Sequence, residues 1–193
     1  LNLRKEHMPF FKPGYVDDLH KKVEIKVETL LDAIAKLGQC NLVKDVSEQL
    51  PIFTLSEILG IPEEDRHKLA TWMEFLELAQ YYAAENFKQT SGKTEEMEVD
   101  TSMIELFQTM IDEMFDYGKH ILQAKRANPE NDLLSAIANA ELDGAKLSQE
   151  YLDGSWLLII FAGNDTTRNS ISGAIKLLTE FPDQKNKLIN NLE

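Results

Sequence analysis

One cysteine, Cys40, stands in the whole chain, so no internal disulfide can staple it. Four histidines, His7, His20, His67 and His120, are scattered with no two at ligand spacing, and there is no second thiol for a zinc cluster. Glycines are few and isolated, which excludes a phosphate-cradling glycine loop, and no Gly-x-Ser-x-Gly elbow occurs. Basic residues are outnumbered: 20 Lys and Arg face 33 Asp and Glu, a net charge of −13. Phosphates would be repelled, which argues against nucleic acid and against docking on anionic lipid. No apolar run approaches the ~20 residues needed to span a bilayer, and no secretory signal opens the chain. These absences suit a cytoplasmic protein. No stretch alternates in hydrophobicity long enough to read as a strand, and no repeat or heptad run appears.

What is present is helical periodicity. Hydrophobic residues make up 43% of the 193 positions, enough for one domain with a core. Pro9 and Pro13 bracket Phe10-Phe11 and force a turn. Val23, Val27, Leu30, Leu31 and Ile34 set a helix over 17–37, with Gly38 as its terminator. A second helical segment, 42–59, contains Pro51, where a kink is expected, and Gly60 ends it. Pro62, Glu63, Glu64 and Asp65 predict a helix start, with the helix running to about residue 84. Residues 85–100, with five acids and few apolar side chains, read as a mobile loop between two helices, with a lid and a disordered connector of no role equally open. A long amphipathic helix covers 101–127 and a short one 131–142, closed by the turn at Asp143-Gly144. Ser148 caps a helix expected to run over about 149–180, and Pro182 stops it and starts another. The fold class expected is all-α, organised around the 149–180 helix.

That helix contains the one stretch that breaks its own rules. Ala162-Gly163-Asn164-Asp165-Thr166-Thr167 follows the apolar run 157–161. Gly163 costs a helix interior roughly 1 kcal/mol relative to Ala. Asn, Asp and Thr compete with the backbone for hydrogen bonds, and Thr166 is placed to bond back to the Ala162 carbonyl. The result is an acid and an alcohol beside a small groove. Two uses of it stand open on the residues alone: a notch for helix packing, or a site for a small ligand with a proton relay.

The six residues match the acid–alcohol signature of the cytochrome P450 family, [Ala/Gly]-Gly-x-[Asp/Glu]-Thr-[Thr/Ser], at every position. The rest of the chain is similar to the family in order: Leu3-Arg4-Lys5 to Phe11-Lys12-Pro13 resembles the end of helix C. Gln39-Cys40-Asn41-Leu42-Val43, Leu50-Pro51 and Leu59-Gly60-Ile61-Pro62 resemble the run into helices E and F of soluble bacterial members. Asp143-Gly144 to Leu147-Ser148 and Phe181-Pro182-Asp183-Gln184 resemble the turns flanking the central helix. Residues 1–193 would then form one partial P450 domain, from helix C to helix J.

The resemblance implies a haem b monooxygenase that inserts one atom of O2 into a hydrophobic small molecule, of steroid, fatty-acid or alkane class, with electrons from a ferredoxin-type donor. Thr166 would hydrogen-bond oxygen at the haem and Asp165 would deliver protons. Ala162 and Gly163 would line the oxygen groove, Arg4 would pair with a haem propionate, and Leu158 and Phe161 would face substrate. The family's haem-ligating cysteine and its Glu-x-x-Arg lie downstream of the central helix. Cys40 is not that cysteine, Glu63-x-x-Arg66 matches the letters by chance, and no metal ligand is assigned in this chain. The reading frame beyond Glu193 is expected to hold both motifs. The 193 residues alone are expected to be inactive and to bind haem weakly or not at all. Two other readings compete: a non-catalytic helical binding or scaffold module, and a cofactor-free acid–base enzyme using Asp165, which lacks a second titratable partner nearby in sequence.

Overall fold

Prolines and glycines divide the first third of the chain as their backbone chemistry requires. In the computed structural model, which describes residues 2–90 and 101–191 (side chains for 4–84 and 102–191), helix α1 (Asn2–His7) runs into a 3-10 turn at Met8–Phe11. Lys12 is extended, and Pro13 opens α2 (Pro13–Leu37). The helix begins four residues earlier than the periodicity suggests, because proline at the first position gives up an N–H that has no helical partner. Gly38 closes α2 in the left-handed conformation, φ 70°, with its N–H donating to the Ile34 carbonyl.

The next segment divides, but not at Pro51. A π-helical turn covers Val43–Ser47, and α3 (Gln49–Leu59) comes after it. Pro51 falls in the first turn of α3, where a missing N–H is harmless. The break expected at Pro51 therefore lies upstream, at Glu48. Gly60, φ 69°, ends α3, and a Cβ there would collide with the Asp132 carboxylate. Pro62 leads into a 3-10 turn at Glu63–Asp65, from which α4 (Arg66–Thr90) continues. The loop expected at 85–100 is thus helical as far as Thr90, and its remainder, 91–100, lies outside the described residues.

Helix α5 (Thr101–Ala127) keeps its expected span. Helix α6 (Leu133–Asn139) is shorter than expected, with Asp132 as its cap, accepting from the Ser135 N–H at 2.7 Å. The chain then forms a small hairpin, β1 (Glu141–Leu142) antiparallel to β2 (Ala145–Lys146). No strand is expected from the sequence, since two-residue strands carry no alternation. Asp143 and Gly144, with φ of 54° and 80°, make the turn that a two-residue hairpin loop demands.

The central element is α7 (Gln149–Glu180), 32 residues capped by the Ser148 side chain, which accepts from the Tyr151 N–H at 3.3 Å. At 1.5 Å per residue it is roughly 48 Å long. Pro182 opens α8 (Pro182–Ile189). Helices α3, α4 and α5 pack on α7. The buried Trp156 of α7 donates its Nε1–H to the Met114 carbonyl of α5 at 3.1 Å. Gly118 allows that approach, since a Cβ on it would stand 2.6 Å from the Trp156 ring. Trp72 meets the same indole edge-on and Tyr117 at a tilt, and Leu59, Leu134, Ile137 and Ile160 fill the core. The fold is all-α apart from the hairpin. Among the described residues no helix is long and apolar enough to cross a membrane.

Candidate active site on the central helix

Helix α7 stays α-helical through Gly163–Thr167 in spite of its composition. The Thr166 hydroxyl donates to the Ala162 carbonyl at 3.0 Å, and the Ser170 hydroxyl donates to the Thr166 carbonyl at 2.8 Å. The competing side chains thus bond to the helix they would otherwise disrupt. With its proton on Ala162, the Thr166 oxygen keeps its lone pairs free to accept; to donate elsewhere it must give up that bond.

Gly163 has a packing role. A Cβ on it would stand 2.8 Å from Leu55 Cδ1, so its absence is what lets α3 lie close against α7. Beside this crossing lies an apolar cavity of about 560 Å³. Ala162, Gly163, Ile159, Thr167 and Ile171 of α7 form one wall, and Leu50, Pro51, Thr54, Leu55 and Ile58 form another. His7 and Phe11 close one end. Burial holds the His7 imidazole below its ordinary range, against the opposing pull of Glu6.

The acid lies on a different side. Asp165, Thr166, Ala162 and Leu158 share an exposed face of α7. Asp165 Oδ1 accepts from Arg168 Nη2 and from Asn169 Nδ2, each at 3.0 Å. Its other oxygen has no partner among the described residues. The neighbouring Asn164 is buried, and its Oδ1 has no hydrogen bond. Leu158 is 67% exposed and Phe161 half-buried; neither lines the cavity that Ala162 and Gly163 line. Arg4 is exposed on α1 and makes no ion pair among the described residues, although His7, three residues on, reaches the cavity. Asp165, Thr166 and Ala162 therefore share one face, Gly163 faces α3 at the helix crossing on another, and Arg4 stands apart.

Sequence reasoning missed Arg168. It is buried and carries ion pairs to Asp165, to Glu48 and to Glu77. The three-residue spacing from Asp165 is a readable helical pair. The contacts to Glu48 and Glu77 carry no local signal.

Comparisons with known proteins bear on the fold and the family. No protein-family model matches the chain. A cytochrome P450 109 of Bacillus spizizenii is 31% identical over 170 residues, covering 88% of this chain and 39% of that protein. A linalool 8-monooxygenase of Pseudomonas putida is 28% identical over 181 residues, 94% of this chain and 41% of its own length. A solved cytochrome P450 of Mycobacterium marinum, in complex with pseudoionone, superposes with a TM-score of 0.78 at 28% identity over 99% of this chain and 43% of that one. The chain belongs to the cytochrome P450 family. It spans about two fifths of the length of the relatives it matches.

Within this P450 chain, the exposed face of α7 fits one wall of a haem pocket. It offers a small side chain at Ala162, a hydroxyl with lone pairs free to accept at Thr166 and a carboxylate with one unpartnered oxygen at Asp165. It offers no iron ligand. Cys40 is exposed after α2 and does not line the cavity, and no three-residue His/Cys/Asp/Glu group suited to a metal occurs among the described residues. Arg66 pairs with Glu57 at 2.5 Å and not with Glu63, so the Glu63-x-x-Arg66 pattern is no structural pair.

Proposed function

We propose that the complete protein is a cytoplasmic haem b monooxygenase, of which residues 1–193 form one part of a single domain. It inserts one atom of O2 into a hydrophobic small molecule. The second atom leaves as water, a balance that takes two protons and two electrons. NAD(P)H supplies the electrons through a ferredoxin-type carrier. Bound haem supplies the iron at which O2 is activated.

The residues of this chain handle protons and shape. The observation that carries the reading is the pair Asp165 and Thr166 on one exposed face, with one Asp165 oxygen held by two donors and the other unpartnered. That free oxygen is able to take a proton from solvent and pass it inward. Thr166 receives or relays it through the lone pairs that its bond to Ala162 leaves free. Ala162 leaves room for a diatomic ligand and Gly163 keeps α3 at the distance that preserves the groove. Arg4 would meet a haem propionate as a charge-assisted contact. Leu158 and Phe161 would present apolar surface to substrate. The relatives named for linalool and solved with pseudoionone support a hydrophobic substrate; a steroid, fatty acid or alkane belongs to the same broad class.

The test uses the full-length holoprotein with a panel of such compounds. Thr166→Ala is expected to keep NAD(P)H consumption while product falls, the difference leaving as peroxide or water. Asp165→Asn is expected to slow turnover by roughly a hundredfold, the lower end of what a positioned acid contributes. Wild-type coupling in Thr166→Ala together with wild-type turnover in Asp165→Asn would refute the assignment.

A further inference from the structure

Arg168 is a buried cation claimed by three carboxylates. Its side chain is 10% exposed, against 19% for Glu48, 44% for Glu77 and 58% for Asp165. Nη2 donates to Asp165 Oδ1 at 3.0 Å. Nη1 lies 3.6 Å from Glu48 Oε1 and in closer contact with Glu77 Oε1. No other cation pairs with these three acids among the described residues. Glu48 sits at the junction of the π turn and α3, and Glu77 is on α4. One guanidinium thus joins three elements, and the end of its fork is on the acid next to Thr166.

We propose that Arg168 is a positioning residue for Asp165: its Nη2 holds one carboxylate oxygen and leaves the other unpartnered, and Glu48 and Glu77 anchor the fork that does so. The inference rests on the proton-delivery reading of Asp165. The chemistry follows from geometry. The planar guanidinium gives its two terminal nitrogens different partners, which a lysine ammonium cannot do with the same directionality. Asn169 supplies a second donor to the same oxygen but no charge. With Arg168 gone, Asp165 keeps a neutral contact only, and its side chain is free to leave the rotamer in which Arg168 holds it. Because Glu77 rides on α4, the placement of α4 against α7 enters the orientation of Asp165.

The experiment compares Arg168→Gln, Arg168→Lys, Asp165→Asn and the Arg168→Gln/Asp165→Asn double variant in the full-length holoprotein. Three quantities are read: product formed per NAD(P)H, the solvent deuterium isotope effect on turnover, and the unfolding constant in denaturant. Arg168→Gln is expected to lower coupling several-fold and to change the isotope effect in the direction Asp165→Asn does. Arg168→Lys is expected to recover part of that loss. The double variant is expected to couple no worse than Asp165→Asn alone. In unfolding, the Arg168–Asp165 cycle is expected to show an interaction of about two- to fivefold, the range of a partly exposed ion pair.

Wild-type coupling in Arg168→Gln, or losses that multiply in the double variant, overturns the proposal. If Arg168→Gln does not fold, Arg168→Lys decides: wild-type coupling and isotope effect in that variant overturn it, and a partial shift of both supports it. If Asp165→Asn itself couples as wild type, the proton-delivery reading has failed; if Asp165→Asn uncouples and Arg168→Gln does not, the positioning role alone has failed.

Discussion

Gly163 shows how one residue serves two demands. Its lack of a side chain weakens the helix locally, by roughly 1 kcal/mol relative to Ala. The same lack permits a close crossing, since a Cβ would meet Leu55 Cδ1 at 2.8 Å. Gly163→Ala is therefore a contest between a propensity gain of about 1 kcal/mol and an overpacking loss of about 1–3 kcal/mol. Leu55 is buried, so its methyl has little room to yield. A net destabilisation of about 1 kcal/mol is expected in denaturant unfolding, and Leu55→Ala, which removes the colliding atoms, should abolish the increment that Gly163→Ala adds. Of the two uses left open by the sequence, the packing notch is visible here directly, because its partner atoms are in this chain. The ligand-groove use depends on the exposed face of α7.

At the level of elements, the long helices are held in place by a few polar fasteners. Asp132 is the most consequential. It caps α6 through the Ser135 N–H and pairs with the buried Lys125 of α5 at 2.6 Å. It also occupies the space that Gly60 leaves at the end of α3. Lys125 contacts Glu130 as well, but that carboxylate is 69% exposed and screened. Asp132→Asn would leave a buried ammonium with its weaker partner, so a loss of about 3 kcal/mol is expected in chemical denaturation, with Asp132→Ala losing the cap in addition. Most element ends are legible in the sequence: Gly38, Gly60, Ser148 and Pro182 act as their backbone chemistry dictates. The hairpin at Glu141–Lys146 is not, although Asp143-Gly144 is a recognised turn pair. Its strands are too short for periodicity, so the pair reads equally well as the end of a helix. The extension of α4 to Thr90 is also hidden, because the acidic and polar residues beyond Ala84 mask the continuing turns.

For the whole molecule, acid sensitivity follows from two carboxylates. Burial pushes Glu57 up, but hydrogen bonds from Lys22 at 2.6 Å and Arg66 at 2.5 Å outweigh it and hold the group below its ordinary range. The hydrogen bond from Lys68 at 2.7 Å does the same for Asp65, which also accepts from Tyr117 at 3.0 Å. Burial and that same carboxylate push the Tyr117 phenol up. The folded state therefore binds these carboxyl protons less readily than the unfolded chain does. The stabilisation is present above the unfolded carboxylate values near about pH 4 and is lost as pH falls through the lower folded ones. A thermal-melt series against pH should show a decline beginning near about pH 4.5, and Glu57→Gln should make that decline shallower. A single slope shared by both proteins would count against the Glu57 contribution.

Sequence alone determined the helical class, the position and length of the central helix, and the signature that places the chain among the cytochromes P450. These rest on signals that act within a few turns: spacing of apolar residues, caps, and side chains that bond back to their own helix. Tertiary structure decided what each signature residue faces. Gly163 turned toward Leu55, Asp165 outward to Arg168 and Asn169, and Arg168 inward to Glu48 and Glu77. Asp165 meets Arg168 and Asn169 within about one turn of its own helix, but the contacts to Leu55, Glu48 and Glu77 link positions far apart in the chain. They exist only because α3 and α4 pack on α7, and no local rule of backbone or side-chain chemistry specifies which distant carboxylate a buried arginine will meet.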